Sequence, residues 1–339
     1  MNTSDDKYGS FALVREMLQT AEIVADFEAP GLTEIAADVV RTGRLMMTGE
    51  GSSRIFPAKN AMAHARRCGW DITLATDAGQ LCCEYDLAGW SVFALSNSGR
   101  TAEVIGLFQA LSESGHVNRY SLSATPDSPL EQLATRGCVL NCGKENAVAA
   151  TKSVAEQALF YRSLLEHVAG TPTLADRRKD LADQITTALT TQINPELVER
   201  IARAGTIYWA GRNDGVSEEL TLKTNEITRK KSDFLEGTYA VHGIEEVMDA
   251  DDVVLWVEPQ EQSEGKFREV LCDGVGLDVI AVASCETSFP TIQIPDGGDL
   301  GEFVQLAAGW NILVEVGISL GINLDEPERA RKVGNEFTG

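Results

Sequence analysis

Ser96-Asn97-Ser98-Gly99-Arg100-Thr101 is the stretch whose residue types and spacing most plainly suit chemistry. It follows the apolar run Ser91-Val92-Phe93-Ala94-Leu95 and leads into a helical pattern from Ala102 to Leu111. A strand that turns through small hydroxyl residues into a helix start aims backbone N–H groups, side-chain donors and the positive end of the peptide dipoles at one point. Such a point suits a phosphate monoester. The spacing lacks the Lys that closes a Walker loop and the glycine pattern of a dinucleotide turn, which leaves a small phosphorylated metabolite as the expected ligand. A second turn, Gly49-Glu50-Gly51-Ser52-Ser53, follows the apolar run Arg44-Leu45-Met46-Met47-Thr48 and precedes a helical stretch from Arg54 to Arg67. Two such turns at the carboxyl ends of neighbouring parallel strands would converge on one crevice.

The elements that must position these turns repeat along the chain. Strands are expected at 44–48, 71–75, 91–95, 119–123 and 138–141, with helical patterns between most of them, and again at 206–211, 252–257 and 277–282. That alternation predicts an α/β protein of parallel sheets flanked by helices, doubly wound. Gly49 pairs with Gly211 and Ser96 with Glu258, an offset of 162 residues in both cases. A constant offset between strand ends indicates a duplicated domain. The expected division is an N-terminal helical segment over 1–40, a first α/β domain over 41–172, a second over 173–324 and a tail over 325–339. The helical stretch Val148 to Val168 and the turn Gly170-Thr171-Pro172-Thr173 mark the join. The halves differ where it matters: Glu258-Pro259-Gln260-Glu261-Gln262-Ser263 stands in place of the hydroxyl turn, and its carboxylates would repel a phosphate. The first half is therefore expected to bind the anion.

Composition narrows the function further. A formal charge of −22 argues against nucleic acid, whose binding rests on clustered Lys and Arg. It also requires that an anionic substrate be held by local donors against the overall field. The apolar runs fall well short of a membrane span and Met1 to Ser10 lacks the layout of a signal peptide, so no membrane partner is expected and the location is expected to be cytoplasmic. Cys68, Cys82, Cys83, Cys138, Cys142, Cys272 and Cys285 show no metal-type spacing, and His64, His116, His167 and His242 lie far apart. No metal and no cofactor is expected.

The motifs together resemble those of the tandem sugar isomerase (SIS) domain family. The likeness is greatest to the isomerase half of glucosamine-fructose-6-phosphate aminotransferase, to the free-standing SIS-type glucosamine-6-phosphate deaminases and to the fructosamine-6-phosphate deglycases. It extends from about residue 40 onward. In that family Cys-Gly-Thr-Ser and Ser-Gln-Ser-Gly-Glu-Thr segments hold the sugar phosphate; here they read Glu50-Gly51-Ser52-Ser53 and Ser96-Asn97-Ser98-Gly99-Arg100-Thr101. A third segment reads Val148-Ala149-Ala150-Thr151-Lys152 behind Glu145, and its Ala150 is closer to the deaminases. The family's Lys-x-x-Glu-Ile helix reads Lys223-Thr224-Asn225-Glu226-Ile227. Its His-Gly reads His242-Gly243, 16 residues after the Glu, and its C-terminal Asp-x-Pro-x-x-x-x-Lys reads Asp325 to Lys332.

The resemblance implies a substrate site of Gly51, Ser52, Ser53, Ser96, Asn97, Ser98, Thr101, Val148, Ala150 and Lys223, with Glu226, His242 and Lys332 carrying the chemistry. Moving a carbonyl or imine between C1 and C2 of an open-chain sugar phosphate needs a base that takes the C2 proton and returns it at C1, a role for a partly buried carboxylate such as Glu226. His242 would open a cyclic substrate. Lys332 would stabilise developing charge or hold an open-chain ketose as a Schiff base, and Lys223 would pair with Glu226 or contact substrate. The family likeness also implies a homodimer whose active site is completed by the neighbouring subunit.

The expected activity is an isomerase and deaminase that converts a glucosamine 6-phosphate-like substrate to fructose 6-phosphate and ammonia. No amidotransferase segment with a nucleophilic Cys precedes the first domain, so glutamine independence is expected. Ile244 replaces the family's Pro after His-Gly, and Asp233 to Val241 differs from the aminotransferase version. These departures leave open a fructosamine-6-phosphate deglycase, a plain aldose–ketose isomerase, or a sugar-phosphate sensor without turnover.

Overall fold

Ten strands form two five-stranded sheets in a computed structural model that describes residues 1–29 and 31–338. The first sheet contains β1 (Arg44–Gly49), β2 (Thr73–Ala78), β3 (Ser91–Leu95), β4 (Arg119–Ser123) and β5 (Arg136–Val139). The second contains β6 (Thr206–Gly211), β7 (Lys231–Glu236), β8 (Val253–Val257), β9 (Asp278–Ala283) and β10 (Thr291–Gln293). Every pairing is parallel. The strand order is β2-β1-β3-β4-β5 in the first sheet and, read from the other edge, β7-β6-β8-β9-β10 in the second. The same order reached twice establishes the duplication: β6 and β8 begin at Thr206 and Val253, each 162 residues after the start of β1 and β3.

The central strands are apolar along their whole length because parallel sheets are covered on both faces. All five residues of β3 and all five of β8 are buried. Beneath the first sheet, Val92 and Ala94 pack with Val104, Leu107 and Phe108 of helix Ala102–Glu113. In the second, Val254 and Trp256 pack with Phe267 and Leu271, and the rings of Trp256 and Phe267 stack 3.6 Å apart.

The chain divides into two compact units, one on each sheet. The first-sheet unit comprises Glu22–Glu145, Ala150–Lys179 and Ala330–Gly339; the second-sheet unit comprises Met1–Ala21, Asn146–Ala149 and Asp180–Arg329. Within the first-sheet unit the C-terminal residues run along the turn that follows β3. Ala102 N donates to Asn335 O at 3.0 Å and Phe337 N to Arg100 O at 2.8 Å. Thr101 and Glu336 form an antiparallel bridge, and Arg100 Nε meets Glu336 Oε1 at 2.6 Å.

Three local expectations are corrected. The helix expected from Val148 begins at Lys152, because the Glu145 carboxylate rather than a helical carbonyl takes the Thr151 N–H, and carboxylates also hold the segment before it. Glu16 accepts from Asn146 N at 2.5 Å and Ala147 N at 3.2 Å, and Glu145 accepts from Thr151 N at 2.8 Å. The strand expected from Asp71 begins at Thr73, and the strand expected from Cys138 begins at Arg136. No helix among the described residues is long and apolar enough to cross a membrane.

Candidate functional site

In the first-sheet unit, the turns Gly51–Ser53 and Ser96–Thr101 stand at the carboxyl ends of β1 and β3, neighbours at the point where the strand order reverses. Helix Ile55–Arg67 leaves one turn and helix Ala102–Glu113 the other. This is where open α/β sheets accept ligands.

Backbone geometry fixes both turns. Gly51 has φ +50°, Ser53 N donates to Glu50 O at 3.2 Å, and Arg54 N donates to Gly51 O at 2.9 Å. Ser52 and Ser53 are half-buried, and the Ser53 hydroxyl accepts from Gln157 Nε2 at 3.3 Å. In the second turn Ser96 Oγ and Thr101 Oγ1 lie 2.8 Å apart, Gly99 N donates to Ser96 O at 3.0 Å, and Arg100 N donates to Ser98 Oγ at 3.1 Å. Gly99 has φ +64°, and a Cβ there would sit 2.3 Å from Ser128 Cβ and Oγ. No side chain fits that position without displacing Ser128.

Glu50, between β1 and the first turn, is tied to the backbone: its Oε1 accepts from Gly79 N at 2.8 Å. Burial pushes its carboxyl above the ordinary value despite that bond.

The C-terminal lysine belongs to the same unit. Lys332 Nζ lies 3.4 Å from Glu145 Oε2, with the lysine side chain 30% exposed and the glutamate side chain fully buried. Asn97 Nδ2 donates to the same oxygen at 2.8 Å. One carboxylate thus joins the β3 turn to the lysine. Burial opposes ionisation of Glu145, yet the Lys332 charge and donors from Ser153 and Thr151 hold its pKa below the ordinary 4.5. Ala150, half-buried, precedes this helix start.

The second-sheet unit holds the remaining candidates. Helix Val216–Thr228 carries Glu219, Lys223 and Glu226 on one face, at the three- and four-residue spacings that bring helical side chains together. Lys223 Nζ lies 2.6 Å from Glu226 Oε2 and 3.3 Å from Glu219 Oε1; Lys223 and Glu219 are fully buried and Glu226 is 21% exposed. Burial works against the ammonium, but Glu226 and Glu219 overcome it and hold the Lys223 pKa above 10.5. The other oxygen of Glu226 makes no hydrogen bond among the described residues.

His242 follows the short turn Tyr239–Val241 and is exposed, its N–H donating to Tyr239 O at 3.1 Å. No hydrogen bond joins it to Glu226 or Lys223 among the described residues. Val148 is half-buried in this unit.

The twin of the β3 turn lies after β8, and its chemistry is opposite. Ser96 N donates to Leu122 O at 3.2 Å and Glu258 N to Val282 O at 3.0 Å, so the two positions are backbone equivalents. The Glu258 carboxylate accepts from Ser284 N at 2.9 Å. In the first sheet the corresponding N–H, that of Ala124, donates to Asn97 O at 2.9 Å, so that turn carries an amide and hydroxyls where the second carries a carboxylate.

Two residues were not singled out from sequence. Glu219 had a signal in its i, i+4 spacing to Lys223. Glu145 had none beyond its place before Val148, because its partners Asn97 and Lys332 lie 48 and 187 residues away.

Two sheets of this order with turns at the reversal point give the architecture expected of two tandem SIS (sugar isomerase) domains. No protein-family model matches the chain. It is 23% identical over 255 residues to the glutamine–fructose-6-phosphate aminotransferase of Lactiplantibacillus plantarum. That match takes in 70% of this chain and 42% of the relative, so the chain spans less than half of its length.

Among solved structures, the C-terminal domain of glucosamine-fructose-6-phosphate aminotransferase from Francisella tularensis superposes with a TM-score of 0.76 at 16% identity, covering 94% of this chain and 98% of that one. Glucosamine-6-phosphate deaminase from Thermotoga maritima gives a TM-score of 0.72 at 20% identity over 95% and 99% of the two chains. Tagatose-6-phosphate ketose/aldose isomerase from Escherichia coli gives 0.77 at 16% identity over 95% and 97%. At these identities the likeness defines the fold.

Proposed function

We propose that the protein is a phosphosugar aldose–ketose isomerase that acts on an amino-sugar phosphate and releases ammonia without using glutamine. The proposal includes a cytoplasmic homodimer in which the exposed His242 serves a neighbouring copy. One observation carries this function: the turn Ser96–Thr101 at the strand-order reversal is lined by hydroxyls, whereas its duplicate carries the carboxylate of Glu258. The names of structural neighbours, a deaminase and a ketose/aldose isomerase among them, support the same class.

The chemistry assigns each group a step. The hydroxyls and backbone of the Gly51–Ser53 and Ser96–Thr101 turns bind the phosphate. His242 exchanges the proton that opens the pyranose ring to the aldehyde. Glu226, with one oxygen held by Lys223, uses the other to take the proton from C2 and return it to C1. A proton passes from the C2 amine to O1, so that C1 becomes a hydroxymethyl group and C2 an imine, and water adds to the imine to give fructose 6-phosphate and ammonia. Lys332, as an ammonium, stabilises the negative charge that develops on O1 between the two proton transfers.

The test is a coupled measurement of ammonia and fructose 6-phosphate from glucosamine 6-phosphate, run beside a panel of phosphorylated fructosamines. Glu226→Gln is expected to lower kcat by about 10²–10⁴-fold, the usual worth of a general base. Activity unchanged in that variant removes Glu226 as the base, and turnover of the fructosamines alone makes the protein a deglycase.

A further inference from the structure

Glu145 is a heavily bonded, fully buried carboxylate of the first-sheet unit that no step above uses. Its Oε2 accepts from Asn97 Nδ2 at 2.8 Å and Ser153 Oγ at 2.6 Å and faces Lys332 Nζ at 3.4 Å. Its Oε1 accepts from Thr151 N at 2.8 Å, Thr151 Oγ1 at 3.4 Å and Ser153 N at 3.4 Å. Starting helix Lys152–Val168 needs an acceptor for Thr151 and Ser153, and an uncharged Ser or Asn side chain can serve as one. Placing a charge there is costly when the side chain is buried. It becomes intelligible if the charge is needed by something that helix capping does not involve, and the two further partners are the amide of the β3 turn and a lysine on the C-terminal tail.

We propose that Glu145 is a positioning residue: it fixes the Lys332 ammonium beside the Ser96–Thr101 turn, so that the cation and the anion-binding turn are placed as one piece. The proposal rests on the function given above, in which Lys332 faces the substrate. The ion pair is loose and the lysine side chain partly exposed, so the ammonium is anchored without being sealed in. Glu145 itself is fully buried and acts through the lysine.

The test is a double-mutant cycle in kcat with the intact chain. Glu145→Gln keeps shape and loses charge, and is expected to lower kcat about 10- to 100-fold, the loss usual when a group that orients a functional side chain is removed. Lys332→Met is expected to lower it at least as far, and the double variant is expected to equal Lys332→Met. Additive losses would overturn the proposal, since a role in folding alone does not depend on the lysine. Wild-type kcat in Glu145→Gln would overturn it as well.

A second readout needs no turnover. After reductive ¹³C-methylation, the NMR signal that disappears in Lys332→Met is expected to move in Glu145→Gln, and an unmoved signal refutes the pairing. If the wild-type chain turns over no sugar phosphate while that signal moves, the function fails and the pairing stands. Ser153→Ala, which removes the 2.6 Å bond and leaves the charge, is expected to move the same signal by a smaller amount should Glu145→Gln not fold; no movement there counts against the proposal equally.

Discussion

Lys223 shows how a single buried charge can be both structural and chemical. It sits between Glu219 and Glu226 with no exposure of its own, so removing it strands one carboxylate in the core and loosens the other at the site. Lys223→Met should cost about 3–5 kcal/mol, the usual result of breaking a buried pair, read as a fall in Tm. Because the folded lysine titrates above 10.5, its contribution is complete below that pH and disappears as pH rises through the raised value. The melting temperature of the wild type should therefore drop more steeply than that of the variant on the alkaline side, and parallel curves would contradict the pairing. The lysine and Glu226 were legible from a three-residue spacing on one helix. Glu145 was not, since the meaning of a lone glutamate comes from burial and from donors distant in sequence.

At the scale of elements, the turn after β3 depends on one residue without a side chain. Gly99→Ala meets both a left-handed φ of +64° and the Ser128 side chain at 2.3 Å, so the turn must shift. Expected is loss of thermal stabilisation by hexose phosphates together with a modest fall in the Tm of the unliganded protein; retained ligand stabilisation would show that the turn is not the anion site. Central strands were legible because they are buried on both faces and read as unbroken apolar runs. β3 and β6 lie where that pattern puts them. The edges were not. β7 carries Lys231, Asp233 and Glu236 and alternates in exposure, and β10 is only three residues long. Charged and short edge strands guard a sheet against further pairing, and the same features hide them from a search for apolar runs.

For the whole molecule, duplication followed by divergence gives two sheets of one topology and opposite electrostatics at equivalent turns. A carboxylate placed in the first turn should reproduce the closed state of the second. Ser98→Glu is expected to abolish the Tm shift produced by a hexose phosphate, while Glu258→Ser, which opens the twin, should leave that shift unchanged. A ligand response lost in Glu258→Ser and kept in Ser98→Glu would transfer the anion site to the second sheet. The repeat was legible because two strand ends recur at one offset. What the sequence could not reveal was the membership of the tail: residues after Arg329 join the first-sheet unit, through hydrogen bonds to Arg100 and Ala102 that no periodicity announces.

That last attachment makes the far end of the chain vulnerable. Arg331 and Lys332 are adjacent and exposed, an inviting pair for a trypsin-like protease, and a nick between them would detach in one cut both the cation and the segment that bridges to the turn after β3. Purified material clipped there would keep its two sheets, pass as intact on a coarse sizing column and yet be inert, so the mass of the purified chain should be measured before a failed assay is blamed on the wrong substrate.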